Sequence, residues 1–412
     1  MKHFIISLIF LSSLFGSIKD LKTIPQDFQQ HFLNIPYSKI SNKTINEFKS
    51  KYFYPWNIKN ITISKKSAQW GNGYSKKKMY DENKKRLKKS WFSWNIDNSN
   101  FNEFNTIKEK AITIKETHLR VFPTDSRMYY NPSKPGEGYP FDYNQNSSLK
   151  VNIPLFVSHF SKDRKWVYVE SNLAFGWLKT SDISFVKKET INKIKKLSLF
   201  VNMEDKNILF SNNKYQEFKM GTIFPIYKNK LLTINKNGSL NYFDINYYTK
   251  PLGLDLNINN IINITKNLIN EPYGWGGIDN LRDCSLLVKD FFTPFGVFLP
   301  RNSKAQAGVG SKINLEGLSL KEKKDKIIKK AIPFKTILYM KGHIMLYVGY
   351  ENNEPLVLHN FWGIRYKENG RVKKHVVGKA AITTLEPGKE LNGYLTKSSL
   401  GNKLVSMSVI NF

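Results

Sequence analysis

From residue 111 to about 250 the chain is cut into short β-prone runs, and this constrains the fold more than any other feature. "AITIKETHLRVFP", "IPLFVSHFSKD", "KWVYVES" and "FGWLKTSDI" follow one another to about residue 187, separated by turn residues. A weaker series, "LSLFVN", "GTIFPIY" and "GSLNYFDIN", continues to about 250. Runs this short, with turns between them, make antiparallel hairpins that close into small barrels. Trp166-Val167-Tyr168-Val169 reads as alternating apolar and exposed positions before a turn leads to Gly176-Trp177-Leu178. Two consecutive small barrels are expected, over 111–188 and 189–252.

The flanks have a different texture. Residues from about 20 to 105 are rich in Lys and Asn with scattered aromatics, and read as loops and short helices. Trp56, Trp70, Trp91 and Trp94 are expected to anchor this segment by packing. From about 255 the pattern is mixed. "INNIINITKNLIN" has near-helical apolar spacing at Ile258, Ile261, Ile262 and Leu268, and the Gly-rich turn "YGWGGIDN" follows. "RDCSLLVKDFFTPFG" then predicts a helix with Asp283 as N-cap, one apolar face (Leu287, Val288, Phe291, Phe292) and Gly296 as stop. "GHIMLYVGY" and "EPLVLHNFWGIRY" read as two strands joined by a short polar turn. A helix carrying the chain's one Cys, followed by antiparallel strands carrying His, indicates an α+β fold.

The first residues, "MKHFIISLIFLSSLFGSIKD", have a basic start and an apolar run from Phe4 to about Gly16. That run is shorter than the ~20 residues of a membrane span and suits a secretory signal over 1–17. Export to the periplasm or cell envelope is expected, with no stable membrane span after its removal. The net charge is +31, from 64 Lys and Arg against 33 Asp and Glu, and favours polyanionic surroundings such as a cell-wall polymer. No zinc-finger spacing, RNA-binding signature or basic helix-turn-helix accompanies it, so nucleic acid is not an expected partner. One cysteine excludes an internal disulfide. A lone thiol in an oxidising compartment is a liability unless it is buried for structure or has work to do.

A thiol peptidase needs a thiolate, a base that generates and recycles it, and a group that orients the base. Cys284 is placed in the first helical turn, where free N–H groups and the helix dipole favour the thiolate. His343 opens an otherwise apolar strand beside Gly342, and His359 lies in the next strand. An odd-numbered loop between these strands puts both imidazoles on one face, and an even-numbered loop puts them on opposite faces. On one face they form a Cys–His–His relay, with His343 as base and His359 as orienter. His375 sits among Lys and Arg and reads as a surface residue. A structural role for each His, or a zinc site of one Cys and two His, is the competing use of the same residues. A Cys at a helix start beside Asp and Ser favours the nucleophile, and no metal or other cofactor is expected.

The segment "YGWGGIDNLRDCSLLVKDFFTPFGVFLPRNSKAQAGVG" resembles the nucleophile region of the NlpC/P60 cell-wall peptidases. The shared features are Tyr273, Trp275-Gly276-Gly277, Asp283-Cys284-Ser285, and Leu299-Pro300-Arg301-Asn302-Ser303 with Gln306. "GHIMLYVG" resembles the family's base strand and "LHNFWG" the strand of its third catalytic residue, so the likeness covers about 255–390. "THLRVFPT" through "GWLKTSDI" resembles the bacterial SH3-type (SH3b) domain of multidomain members. The resemblance implies a papain-like catalytic domain at 253–412, after two SH3-like barrels and a helical or irregular N-terminal segment at 18–110. It implies Cys284 as nucleophile, His343 as base and His359 as orienter. Tyr273 is then expected near the oxyanion, and Asp283 and Ser285 at the substrate's free N-terminal amine. The implied substrate is a peptidoglycan stem peptide or muropeptide, cut between γ-D-glutamate and a diamino acid, mainly diaminopimelate, by a monomeric enzyme. Leu286 departs from the family pattern, which has Gly there; the added side chain narrows the cleft or shifts a packing contact. Two other readings fit the same residues: a catalytically silent wall-binding protein, and a Cys-dependent acyltransferase.

Overall fold

The computed structural model describes residues 17–28, 37–134, 136–211 and 214–412. The expected signal segment, apart from Ser17, lies outside them. Among the described residues no helix is long and apolar enough to cross a membrane. The chain divides into two compact units: 35–267 with 274–306 and Phe412, and 1–34 with 268–273 and 307–411.

In the first unit, β1 (Glu109–Thr113), β2 (Thr117–Arg120), β3 (Gln145–Leu149), β4 (Pro154–Phe160), β5 (Trp166–Ser171), β6 (Phe175–Lys179) and β7 (Ile183–Phe185) form one antiparallel sheet, ordered β3-β2-β6-β5-β4-β1-β7. The expected alternation along Trp166–Val169 is absent, since every residue of β5 is buried. The reason is a second cover. Ile61, Ala68 and Phe101 of the N-terminal segment pack with Phe156, Trp166, Tyr168 and Trp177. That segment is a chain of short helices. Ser41 caps the longest (Asn42–Tyr52), which buries Phe48 and Tyr52. Trp56 is buried and donates Nε1–H to Ala111 O, and Trp91 packs on Phe92 and Phe122. Trp70 and Trp94 are not anchors: they are 45% and 57% exposed.

His159 in β4 is fully buried among Phe101, Phe104, Tyr168 and Trp177. Its Nε2–H donates to Ser99 O, and Nδ1 pairs with the Ser158 hydroxyl. Both contacts suit the neutral ring, and burial pulls its pKa from 6.5 down to about 4. The folded value lies below the unfolded one, so stability is fully present above pH 6.5 and is lost as pH falls towards 4. We expect the thermal midpoint to drop across this window, with on the order of 3 kcal/mol at stake from His159. His159→Phe should flatten the slope, as read by unfolding scans at successive pH values.

A second antiparallel sheet follows in the same unit, ordered β13-β12-β11-β8-β14, from β8 (Leu199–Asn202), β11 (Ile223–Tyr227), β12 (Lys230–Ile234), β13 (Leu240–Asp244) and β14 (Thr249–Pro251). A hairpin of β9 (Asn207–Ser211) and β10 (Lys214–Phe218) accompanies it. Its core is Leu209, Phe218, Phe224, Leu231 and Phe243, joined by Val151 from the first sheet's side. The Asn152 amide bridges the two sheets, donating to Ile223 O and Leu232 O.

The second unit is built on six antiparallel strands ordered β15-β20-β16-β17-β18-β19. They are β15 (Ser311–Asn314), β16 (Thr336–Met340), β17 (His343–Glu351), β18 (Glu354–Glu368), β19 (Arg371–Thr383) and β20 (Leu404–Val409). A helix with a Ser319/Glu322 capping box (Leu320–Lys330) places Ile327 on the core of Leu338, Met345, Tyr347, Val357 and Met407. Ile18 and Leu21 pack on Phe361, Ile364, Val377 and Ala381, so the first described residues belong to this unit. His375, expected at the surface, is half-buried in β19 opposite Ile364. The cross-strand partner gives it cover that its basic neighbours in sequence do not show.

Candidate active site

Each unit holds one part of the expected catalytic set. In the first, the helix Cys284–Phe292 begins where the sequence predicts. Asp283 is its N-cap, accepting from Leu286 N at 2.9 Å, and Gly296 stops the chain in the left-handed region (φ 71°) after a short 3-10 turn. Cys284 is 7% exposed and stands in the first turn, where backbone N–H groups have no partner within the helix. The Gly-rich turn ahead of it sits directly on β3. Gly276 and Gly277 have φ of 63° and 81°, and a Cβ on Gly277 would lie 2.2 Å from Ser148 Oγ. Only glycine satisfies both demands.

Asp283 does more than cap. Its Oδ1 accepts from Leu286 N–H, the Ser285 hydroxyl and Arg301 Nη1; its Oδ2 accepts from Gly276 N–H and from Arg301 Nη2 at 2.7 Å. Five donors use the four or so acceptor positions of a carboxylate. Asp283 and Ser285, expected at the substrate's free amine, are joined to each other and to Arg301 in this network. These two residues position the start of the Cys284 helix. Arg301, quoted above only as part of a motif, is 8% exposed and reaches Ser147 Oγ as well. No sequence signal marks this pairing, since the burial of Arg301 beside Asp283 exists only in the folded chain. Arg301→Met leaves the Asp283 carboxylate buried without its cation, which we expect to cost roughly 3–5 kcal/mol in chemical denaturation.

A second buried network ties the same helix to both sheets. Arg282 donates Nε–H to Asp290 and both Nη groups to Asp205, and Lys150 bonds the other Asp290 oxygen. Burial alone raises the Asp290 carboxyl; Lys150 and Arg282 reverse this and hold it well below its ordinary value. Leu286 is buried beside Ser148 and Lys150, so its added side chain fills a packing contact on the β3 side.

In the second unit, His343 Nε2 lies 2.8 Å from His359 Nδ1, and His359 Nε2 lies 2.9 Å from Thr383 Oγ1. Thr383 spends its own proton on Thr384 O, so its oxygen accepts from His359 Nε2–H. His359 Nδ1 is then an acceptor, His343 Nε2 carries the proton given to it, and Nδ1 is the basic nitrogen of His343. His359 is fully buried. Burial first, then the neighbouring His343, holds it well below the ordinary histidine value and hence neutral. Thr383, which the sequence reading did not single out, ends the chain.

The two imidazoles meet against the loop-parity rule. The turn is two residues, Asn352-Asn353, both at positive φ, and an even loop predicts opposite faces. A bulge between Tyr347 and Gly349 shifts the register by one, from Gly349↔Leu356 to Tyr347↔Val357. One extra residue returns His343 to the face of His359. Tyr273 is held by its N–H to Gly378 O, near the Trp362 ring, and lines a cavity together with His343. Among the described residues no group of three or more His, Cys, Asp or Glu is disposed to hold a metal ion.

A thiol at a helix N-terminus in one unit and a neutral, oriented imidazole in the other are the kinds of group a cysteine peptidase uses. Comparison with known proteins agrees. Residues 270–378 match the NlpC/P60 family, 127–179 an SH3 domain of the SH3b1 type, and 11–104 the N-terminal NlpC/P60 stabilising domain. The described chain resembles the structure of a novel NlpC/P60 endopeptidase from Photobacterium damselae subsp. piscicida, at 26% identity and a TM-score of 0.84, over 94% of this chain and 97% of that one. An NlpC/P60 family protein from Bacillus cereus matches at 14% identity and a TM-score of 0.47, over 73% and 98%. A search of curated proteins finds no significant match. The chain thus has an N-terminal helical segment, an SH3b domain and an NlpC/P60 catalytic domain, the build of a peptidoglycan hydrolase of the NlpC/P60 family.

Proposed function

We propose that this protein is an exported, monomeric cysteine endopeptidase of the cell envelope that cleaves the γ-D-glutamyl–diaminopimelate bond of peptidoglycan stem peptides. Cys284 is the nucleophile, His343 the base and His359 its orienter. The observation that supports this most is the His343–His359–Thr383 hydrogen-bond chain, which makes Nδ1 the basic nitrogen of His343. His343 takes the Cys284 proton, and the thiolate adds to the γ-glutamyl carbonyl. The adduct collapses as His343 returns the proton to the leaving amine, giving a thioester. Water, deprotonated by His343, then attacks the thioester and releases the γ-carboxylate and the thiol. Tyr273, beside His343 in the same cavity, is assigned to the carbonyl oxygen. Residues 189–252 are read as a second SH3-type barrel.

Mass spectrometry of L-Ala-γ-D-Glu-diaminopimelate after incubation tests the reaction. L-Ala-D-Glu and free diaminopimelate are expected. A new ester or amide of the glutamyl group means acyl transfer, and no change in this peptide or in whole peptidoglycan means a binding protein.

A further inference from the structure

The second unit contains a cavity of about 310 Å³ that opens from His343 and whose occupant nothing so far assigns. Its charged lining is entirely cationic: Lys341, Arg365, Lys374 and Lys403, with no carboxylate among the lining residues. Arg365 and Lys374 are directly opposed across β18 and β19. Like charges so placed repel one another. Lys403 is close enough to Arg365 for that guanidinium to add to burial in lowering its pKa. The carboxylates whose charge reaches Tyr394 in the cavity wall hold other partners: Glu386 accepts from Lys324, Asp20 from Thr384, and Glu390 from Lys19 N–H. Lys341 and Lys403 also border an adjoining hollow of about 470 Å³, whose lining adds Lys323 and one carboxylate, Glu316.

Chemistry says what belongs there. The base that protonates a leaving amine must touch it, so the amino acid bearing that amine lies beside His343. In the proposed reaction that residue is a diamino acid, and diaminopimelate carries one carboxylate more than lysine. We propose that Arg365, Lys403 and Lys341 form a carboxylate subsite for the leaving fragment, making the enzyme selective for anionic over neutral-ended diamino acids. This rests on the endopeptidase reading and assigns residues to its specificity. Arg365 supplies a planar fork suited to a carboxylate, and the lysines supply charge.

The test compares L-Ala-γ-D-Glu-meso-diaminopimelate with L-Ala-γ-D-Glu-L-lysine, which differ by a single carboxylate. Wild type should favour the first by at least about tenfold in kcat/KM, mainly through KM, and the ratio should shrink with added salt. In Arg365→Gln/Lys403→Gln the ratio should fall towards one, and Arg365→Lys should restore part of it. A wild-type ratio near one, or a ratio that survives the double substitution, overturns the proposal while leaving the endopeptidase reading intact. If neither peptide is cut, the endopeptidase reading fails. The subsite is then judged by titrating Cys284→Ala with diaminopimelyl-D-alanine and lysyl-D-alanine. Tighter binding of the first by about tenfold, lost in the double substitution, supports it; equal binding, or none, overturns it.

Discussion

Replacing Cys284 by alanine should lower hydrolysis of L-Ala-γ-D-Glu-diaminopimelate by at least about a thousandfold while leaving the fold in place. The side chain lost is small and stands in the first turn of its helix. The Asp283 cap, the Arg301 ion pair and the Arg282 network do not use its sulfur. Chemistry and stability therefore separate at this position. Single-turnover assays with matched unfolding curves check both. Equal cleavage by wild type and Cys284→Ala would remove Cys284 from the mechanism whatever the fold suggests.

His343→Ala should cost about 10²–10⁴ in kcat, the range for a lost general acid–base. The relay makes a finer prediction about His359. His359 accepts the His343 Nε2–H at Nδ1, so a side chain that keeps an acceptor there preserves the basic nitrogen at Nδ1. His359→Gln should lose less than His359→Leu, which removes the acceptor and lets His343 rotate or change tautomer. The measurement is kcat for the three variants, with imidazole NMR of His343 to report the tautomer. If Gln and Leu behave alike, His359 acts through packing against Phe361, on which its ring stacks at 4.2 Å, and not through the hydrogen bond.

The parts of this site that were legible in the sequence are local ones. The start of the Cys284 helix depends on Asp283 three residues before Leu286 N, and its end depends on Gly296; both are contacts between near neighbours along the chain. The Gly276-Gly277 turn was legible for the same reason, because positive φ leaves a residue-type mark. The pairing of His343 with His359 was only half legible. The two strands and their two-residue Asn turn follow from local preference, but parity alone puts the imidazoles on opposite faces. The bulge at Val348 that corrects this leaves no residue-type signature, since the extra residue is an ordinary buried valine.

Trp70 and Trp94 show the converse. Aromatic identity predicts burial on average, yet which tryptophans the first sheet covers depends on where its outer face lies. The sequence by itself therefore determined the α+β class, the short-stranded modules, the helix that carries Cys284 and the types of residue at the site, because each is set by neighbours within one turn or one hairpin. Only the tertiary structure decided that Thr383 ends the histidine chain, that Arg301 fills Asp283, and that Arg365, Lys374 and Lys403 line one cavity. Those outcomes join groups from 9 to 38 residues apart, and their energies depend on burial and charge that exist only once the chain has folded.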